Sequence, residues 1–248
     1  MRFLKFWERE DTEKEKLKAE LIRVLDQNKV LNEELKGKKE LYFLEEWFNN
    51  RYKKTDQLYA GRWMYGWEKP IFCDIRDFFT LNDSELKRIT SAFKSKENDD
   101  LALECLNWIR MNIIYDYDKN VTKKQEHWNF PFETLIRKKG DCEDGAILLA
   151  NLMQIAEIPY WKIRLTAGWV REPLSQKEIG HAYVTYYCES SDKWVVLDWC
   201  YYPNKIPIKD RLDYKEEENY KGVWFSWNSE YCFYKSTRDL KKKVKEEK

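Results

Sequence analysis

The sequence predicts an α+β chain in which helices come first and antiparallel strands follow, and three observations carry that prediction. Between Gly140 and Pro159, Ala146, Leu149, Ala150 and Met153 recur at helical spacing, and Ile147, Leu148 and Leu152 widen the apolar stripe into that of a largely buried helix. Past Pro159, the stretches Lys162–Val170, His181–Tyr187 and Lys193–Trp199 are rich in β-branched and aromatic residues and read as strands. The last two flank a polar loop around Glu189-Ser190-Ser191-Asp192, the signature of an antiparallel hairpin.

Composition bounds the rest. The 248 residues are 43% hydrophobic and 36% charged, enough for one sizeable domain with an appendage or for two small ones. A formal net charge of +1, from 45 basic and 44 acidic residues, gives no electrostatic footprint for nucleic acid or an anionic membrane. The first ten residues lack the apolar run of a signal peptide, and no window approaches the length of a membrane span. We therefore expect a leaderless cytoplasmic protein, or a virion-associated one if it is phage-encoded, with neither a membrane nor a nucleic-acid partner. Six cysteines stand far apart with no C-x-x-C pair and only two histidines, so no structural zinc, other metal or cofactor is expected. The cysteines other than Cys142 read as free buried thiols, and the 12 Trp, 16 Tyr and 12 Phe read mainly as core.

From about Asp11 to Lys36 the chain is charged and free of proline and glycine, which predicts one long helix. Leu17, Leu21, Val24, Asn28, Leu31 and Leu35 form a heptad seam with a single Asn at an a position. Two readings stay open: a homodimer through residues 17–35, or a helix folding back on its own domain. Gly37 interrupts the pattern, and Leu41, Leu44, Trp47 and Phe48 make a short amphipathic segment. Tyr52 to Pro70 is aromatic without a clear period, and Ile71 to Phe79 could be strand or helix. Asn82 and Glu85 have the spacing of an N-cap and its reciprocal partner, for a helix toward Phe93. Asp99 or Asp100 caps the next helix, with Leu101, Cys105, Trp108, Ile109 and Ile113 on one face. A final hairpin turns near Asn228-Ser229, and a charged tail closes the chain. The divisions expected are a helical segment over 1–50, an aromatic-rich connection over 51–95, a core over 96–235 and a tail over 236–248.

Chemistry concentrates at Gly140-Asp141-Cys142-Glu143-Asp144-Gly145. Cys142 falls in the first turn of the buried helix, where unsatisfied N–H groups and the positive end of the dipole favour a thiolate. If the hairpin pairs His181 with Asp198, Tyr183 faces Val196, Thr185 faces Trp194, and the turn centres between Glu189 and Ser190. Ala182, Val184, Val195 and Leu197 then share the opposite, core-facing surface. Cys142, His181 and Asp198 are the parts of an activated thiol: a nucleophile, the base that takes its proton, and the carboxylate that orients the base. The backbone N–H of Cys142 is the natural first oxyanion donor, with the Trp128 indole or the Gln125 amide as a second. His127 lacks such support and reads as structural.

These residues resemble the transglutaminase-like superfamily, in particular its bacterial and phage transglutaminase-like cysteine peptidase branch. The matching pieces are Pro131-Phe132-Glu133-Thr134-Leu135, then Gly140-Asp141-Cys142-Glu143-Asp144-Gly145-Ala146, then Gly180-His181-Ala182-Tyr183-Val184, then Trp194-Val195-Val196-Leu197-Asp198. The resemblance spans about Leu101 to Tyr202. It implies a papain-like core, a helix bearing Cys142 on an antiparallel sheet bearing His181 and Asp198, and thioester chemistry on protein or peptide amides. Hydrolysis and acyl transfer both stay open. The alternative is a non-catalytic module of the same fold that assembles through its N-terminal helix. The related peptide N-glycanases usually carry a C-x-x-C zinc element, which this chain lacks.

Overall fold

The computed structural model describes residues 18, 20–31, 53–55, 58–62, 69–121, 126–201, 206–220 and 222–234. The segment 41–48, the seam positions Leu17 and Leu35, Gln125 and the tail lie outside these residues. Contacts divide the chain into units 1–47 and 48–248. In the first unit, helix α1 covers 20–31, and Leu21, Val24, Leu25, Val30 and Leu31 on it are 46 to 60% exposed.

The second unit is built on a six-stranded, wholly antiparallel sheet. Its strands are β1 (Lys53–Thr55), β6 (Ile163–Arg171), β7 (Glu178–Cys188), β8 (Lys193–Leu197), β9 (Gly222–Trp227) and β10 (Cys232–Tyr234), in the order β1-β10-β9-β6-β7-β8. Strands β2 (Tyr59–Arg62) and β3 (Ile71–Asp74) form a separate hairpin, and the two-residue strands β4 (Ile114–Tyr115) and β5 (Lys139–Gly140) pair in parallel. The helices are α2 (Ser84–Thr90), α3 (Asn98–Asn112), α4 (Asp118–Val121), α5 (Pro131–Arg137) and α6 (Cys142–Ile155). Helix α6 lies on β6 and β7, and α2, α3 and α5 pack around it. The α+β arrangement of a cysteine-bearing helix on an antiparallel sheet is thus the one the sequence predicts.

Helix α6 sits at the centre because every side chain from Glu143 to Met153 is buried. Full burial of each of its Leu, Ile and Met residues stabilises by about 1.5–3 kcal/mol. A β-carbon on Gly145 would lie 2.2 Å from the Trp199 indole, so only glycine lets α6 approach that ring.

Several local expectations shift. The segment Ile71 to Phe79 is both options in turn, strand β3 and then a 3-10 turn over Ile75–Phe78. Asp83, rather than Asn82, caps α2, accepting from the N–H groups of Glu85 and Leu86. Its charged carboxylate complements the helix N-terminus better than an amide. Glu97 precedes α3, and Asp99 turns away from capping to bind the β7–β8 loop. The final hairpin turns on Asn228, whose side-chain oxygen accepts from the N–H groups of Glu230 and Tyr231.

The β7–β8 hairpin corrects the expected register. Thr185 pairs with Val196 and Tyr187 with Trp194, two residues away from the alignment that would set His181 opposite Asp198. The loop centres between Ser190 and Ser191, with Cys188 paired to Lys193. Asp99 accounts for the difference. It accepts from the Tyr186 hydroxyl, the Cys188 thiol, the Ser190 hydroxyl and the backbone N–H groups of Glu189 and Ser190, tying the loop to α3. A two-residue slip preserves which face each side chain occupies, so Val184 and Leu197 remain together in the core. The outer edge of β8 is covered by the segment 206–220, through Tyr214 N–H to the Trp194 carbonyl.

Candidate active site

Cys142 is the first residue of α6, preceded by Asp141, which makes no side-chain cap. Two glycines shape this entry. Gly145 admits Trp199, whose indole N–H donates to the Cys142 carbonyl at 3.2 Å. Gly140 leaves room for Asp144, whose β-carbon would stand 2.6 Å from one added at Gly140. Asp144 accepts from the backbone N–H and side-chain amide of Asn129, at 2.9 and 2.6 Å, and Arg137 donates to Asn129 at 2.6 Å. This relay fastens the first turn of α6 to α5.

His181 and Asp198 come together despite the shifted register, because Asp198 lies just past the end of β8, where the strand has given way to a turn. The His181 Nε2 to Asp198 Oδ2 distance is 2.7 Å, and both side chains are buried. The Tyr220 hydroxyl donates to the same oxygen at 2.9 Å, and the Cys200 backbone N–H donates to Oδ1 at 2.7 Å. Burial alone would raise the Asp198 pKa, but the adjacent His181 and these hydrogen bonds outweigh it and hold the carboxyl below its ordinary value. The Tyr201 ring lies 4.8 Å from the imidazole, centroid to centroid.

Cys142 meets the strand that carries His181. Its thiol lies 3.1 Å from the Glu143 carboxylate, to which it donates, and the backbone N–H of Ala182, next to His181, bonds to the sulfur. The thiol pKa is pushed well above its ordinary value, first by burial and then by the carboxylates of Glu143 and Asp141. That reverses the expectation from helix position alone. A half-unit of helix dipole cannot outweigh desolvation together with two neighbouring carboxyl groups.

The acidic surroundings extend further than the sequence motif suggests. Asp118, Glu126, Asp141, Glu143 and Asp144 all have raised pKa values, with burial first in each case. Asp118 is pushed to about 8 and Asp144 to about 7. Asp118, Asp141 and Glu143 each present a carboxylate oxygen within 4.8 Å of the others. An all-oxygen set of this kind suits a hard divalent cation.

The second oxyanion donor is not brought into place by Trp128. Its indole N–H donates to Glu126 at 3.1 Å, and its ring stacks on Trp227 within the core. Gln125 is outside the described residues. His127 is buried, and its backbone N–H donates to Asp118. Tyr220, Cys200 and Asp118 carry no periodic signal in the sequence, because each reaches the site from a loop or short helix. A usable signal existed only for Glu143 and Asp144, acids placed at the start of a helix buried on all sides. Among the described residues, no helix is long and apolar enough to cross a membrane.

A family model described as a transglutaminase-like domain matches residues 84–217, more than half of the chain. A search of curated proteins finds no match. Among solved structures, EGTA-treated LapG of Legionella pneumophila aligns with a TM-score of 0.45 at 16% identity, covering 62% of this chain and 86% of that one. Calcium-bound LapG of the same organism aligns with a TM-score of 0.44 at 17% identity, over 62% and 87% of the two chains. A proposed cysteine protease from Cytophaga hutchinsonii gives a TM-score of 0.37 at 20% identity, over 49% and 38%.

Proposed function

Since the chain belongs to the transglutaminase-like family, we propose that it is a thiol enzyme acting on protein or peptide amide bonds through Cys142, His181 and Asp198. The observation that carries this reading is the buried His181–Asp198 pair at 2.7 Å, together with a cysteine at the start of α6 whose sulfur takes a hydrogen bond from the Ala182 backbone next to His181. With Nε2 held by Asp198, the other ring nitrogen is left to accept the Cys142 proton. The thiolate attacks the amide carbonyl carbon, and the oxyanion that forms is met by the Cys142 backbone N–H at the helix start. The imidazolium returns its proton to the departing amine as the C–N bond breaks, leaving a thioester on Cys142. Water or a second amine then attacks the thioester, His181 takes the proton of that nucleophile, and the C–S bond breaks to release the acyl product and restore Cys142 as the leaving sulfur regains that proton.

The raised thiol pKa makes the imidazole indispensable, since little thiolate forms without a base. Reaction with iodoacetamide at neutral pH tests this: Cys142 should label faster than the other five thiols, and Cys142→Ala should remove the fast site. Uniform slow labelling of all six would defeat the reading. Mass spectrometry of glutamine-containing peptides incubated with and without a primary amine separates hydrolysis from transfer.

A second reading follows from the exposed row on α1, where Leu21, Val24, Leu25 and Leu31 meet no partner surface within the described residues of their unit. A second copy of the chain would cover this seam, with Asn28 fixing register. Sedimentation as a monomer, unchanged by Asn28→Leu, would reject it.

A further inference from the structure

Cys200 takes no part in the chemistry proposed above, yet it stands inside the same cluster. One His181 ring nitrogen, one Asp198 carboxylate oxygen and the Cys200 sulfur all lie within 4.8 Å of one another. The Cys200 backbone N–H bonds to Asp198 Oδ1 at 2.7 Å, which fixes the spacing of the thiol and the carboxylate. Nitrogen, oxygen and sulfur donors converging from three residues form a mixed borderline-soft set, unlike the all-oxygen set at Asp118, Asp141 and Glu143.

Zinc bonds to these donor types run about 2.0–2.3 Å, so donors in a tetrahedral site stand roughly 3.3–3.8 Å apart. The present spacing brackets that range: 4.8 Å is the outer limit of the cluster, and the His181–Asp198 contact at 2.7 Å must open slightly. The charges nearby are mixed. Arg110 interacts with both Asp198 and Cys200 and opposes a cation, while Asp141 and Glu143 act on Cys200 with the opposite sign. Tyr220 retains its hydrogen bond to Asp198 as an outer support for the ligand set.

We propose that His181, Asp198 and Cys200 form a zinc(II) site whose occupation shuts off the chemistry of Cys142. On binding, the Cys200 thiol releases its proton to solvent, and the thiolate, the neutral imidazole and the carboxylate each donate a lone pair to the ion. Water completes the tetrahedron. His181 then holds the metal instead of accepting a proton, and Asp198 no longer orients it. The site itself stands apart from the thiol-enzyme reading, whereas the shut-off rests on it.

The test uses the full chain, with cobalt(II) as a coloured stand-in for zinc. A thiolate-to-cobalt charge-transfer band should appear in the wild type and in Cys142→Ala, saturate at one equivalent, and be displaced by zinc. Cys200→Ser should abolish the band and weaken zinc binding, measured calorimetrically, by more than the roughly 100-fold that loss of a supporting outer residue costs. Cys200→Ala serves as the second variant, and circular dichroism verifies that each is folded. No band in the wild type, or a band that survives in both Cys200 variants, overturns the site. Zinc should also slow iodoacetamide labelling of Cys142 in the wild type and not in Cys200→Ser. If the band behaves as stated while Cys142 labels slowly even without zinc, the site holds and the thiol-enzyme reading falls.

Discussion

Replacing Asp198 by asparagine removes one charge from a buried site while changing its shape little, and the structure allows the cost to be worked out in two parts. The carboxylate accepts three hydrogen bonds: His181 and Tyr220 on Oδ2, and the Cys200 N–H on Oδ1. Asparagine offers a single oxygen. If that oxygen keeps His181 and Tyr220, its amide group confronts the Cys200 N–H, and a buried donor left unpaired costs about 1–3 kcal/mol of stability. The electrostatic part acts on the imidazolium. Opposite charges about 4 Å apart interact by about 4 kcal/mol at an effective dielectric of about 20. At roughly 1.4 kcal/mol per decade, that is close to a thousandfold in the electrostatic support for the thiolate–imidazolium pair formed when Cys142 gives up its proton. The residual hydrogen bond to the amide oxygen offsets part of it, so the rate of Cys142 alkylation near pH 7 should fall by about 100- to 1,000-fold. Labelling with iodoacetamide across a pH series, read by mass spectrometry, measures this. The variant and the wild type should converge at alkaline pH, where the thiol ionises without help. An asparagine variant that is folded and labels at the wild-type rate at pH 7 would refute the role assigned to Asp198.

Three further outcomes follow from the packing and the charges. Gly145→Ala would force a β-carbon to 2.2 Å from Trp199, and such overpacking should cost about 1–3 kcal/mol, read as a fall in melting temperature. Asp99→Ala strands the Tyr186 hydroxyl and the loop N–H groups it gathers, with an expected loss of about 2–4 kcal/mol in denaturant unfolding. Burial would raise the Asp99 pKa, but hydrogen bonds from Ser190, Tyr186 and Cys188 hold it below the ordinary value. Its contribution is therefore present above about pH 4 and lost as the pH falls through the depressed value, so the acid limb of the stability profile should flatten in Asp99→Ala. Asp118 has the opposite sign. Burial, then Asp141 and Asp144, raise its pKa to about 8, so the folded state binds the extra proton and stability declines as the pH rises from about 4 to about 8. In metal-free buffer at pH 8, Asp118→Asn should therefore raise the melting temperature, by about 2–4 °C for each kcal/mol gained. An unchanged or lower value would contradict the crowding of charge there.

How much of this was legible in the sequence depends on how local each signal is. The buried helix announces itself because Ala146 to Met153 repeat the helical period on several faces, and its start is marked by Gly140 and Cys142. Hairpin β7–β8 announces its faces for the same reason. Its register is another matter. Alternation has a period of two, so a slip of two residues leaves every side chain on its own face and the pattern cannot detect it. Asp99, some ninety residues upstream, sets the register by binding the loop. Asp83 displaced Asn82 as the α2 cap through a difference of one residue, within the reach of any single-sequence reading.

The sequence by itself therefore determined the parts: an α+β chain, a cysteine opening a buried helix, and a histidine and an aspartate near the ends of facing strands. Only the tertiary structure decided their state. It buried the Cys142 thiol beside Glu143 and Asp141 and so raised the thiol pKa where the helix position alone had suggested a lower one. It turned the Trp128 indole to Glu126 and set Cys200 within reach of His181 and Asp198. Periodicity records which face a residue occupies, because burial acts on each residue in place. Charge, hydrogen bonding and ligand geometry depend on distances between segments remote in the chain, and folding alone fixes those distances.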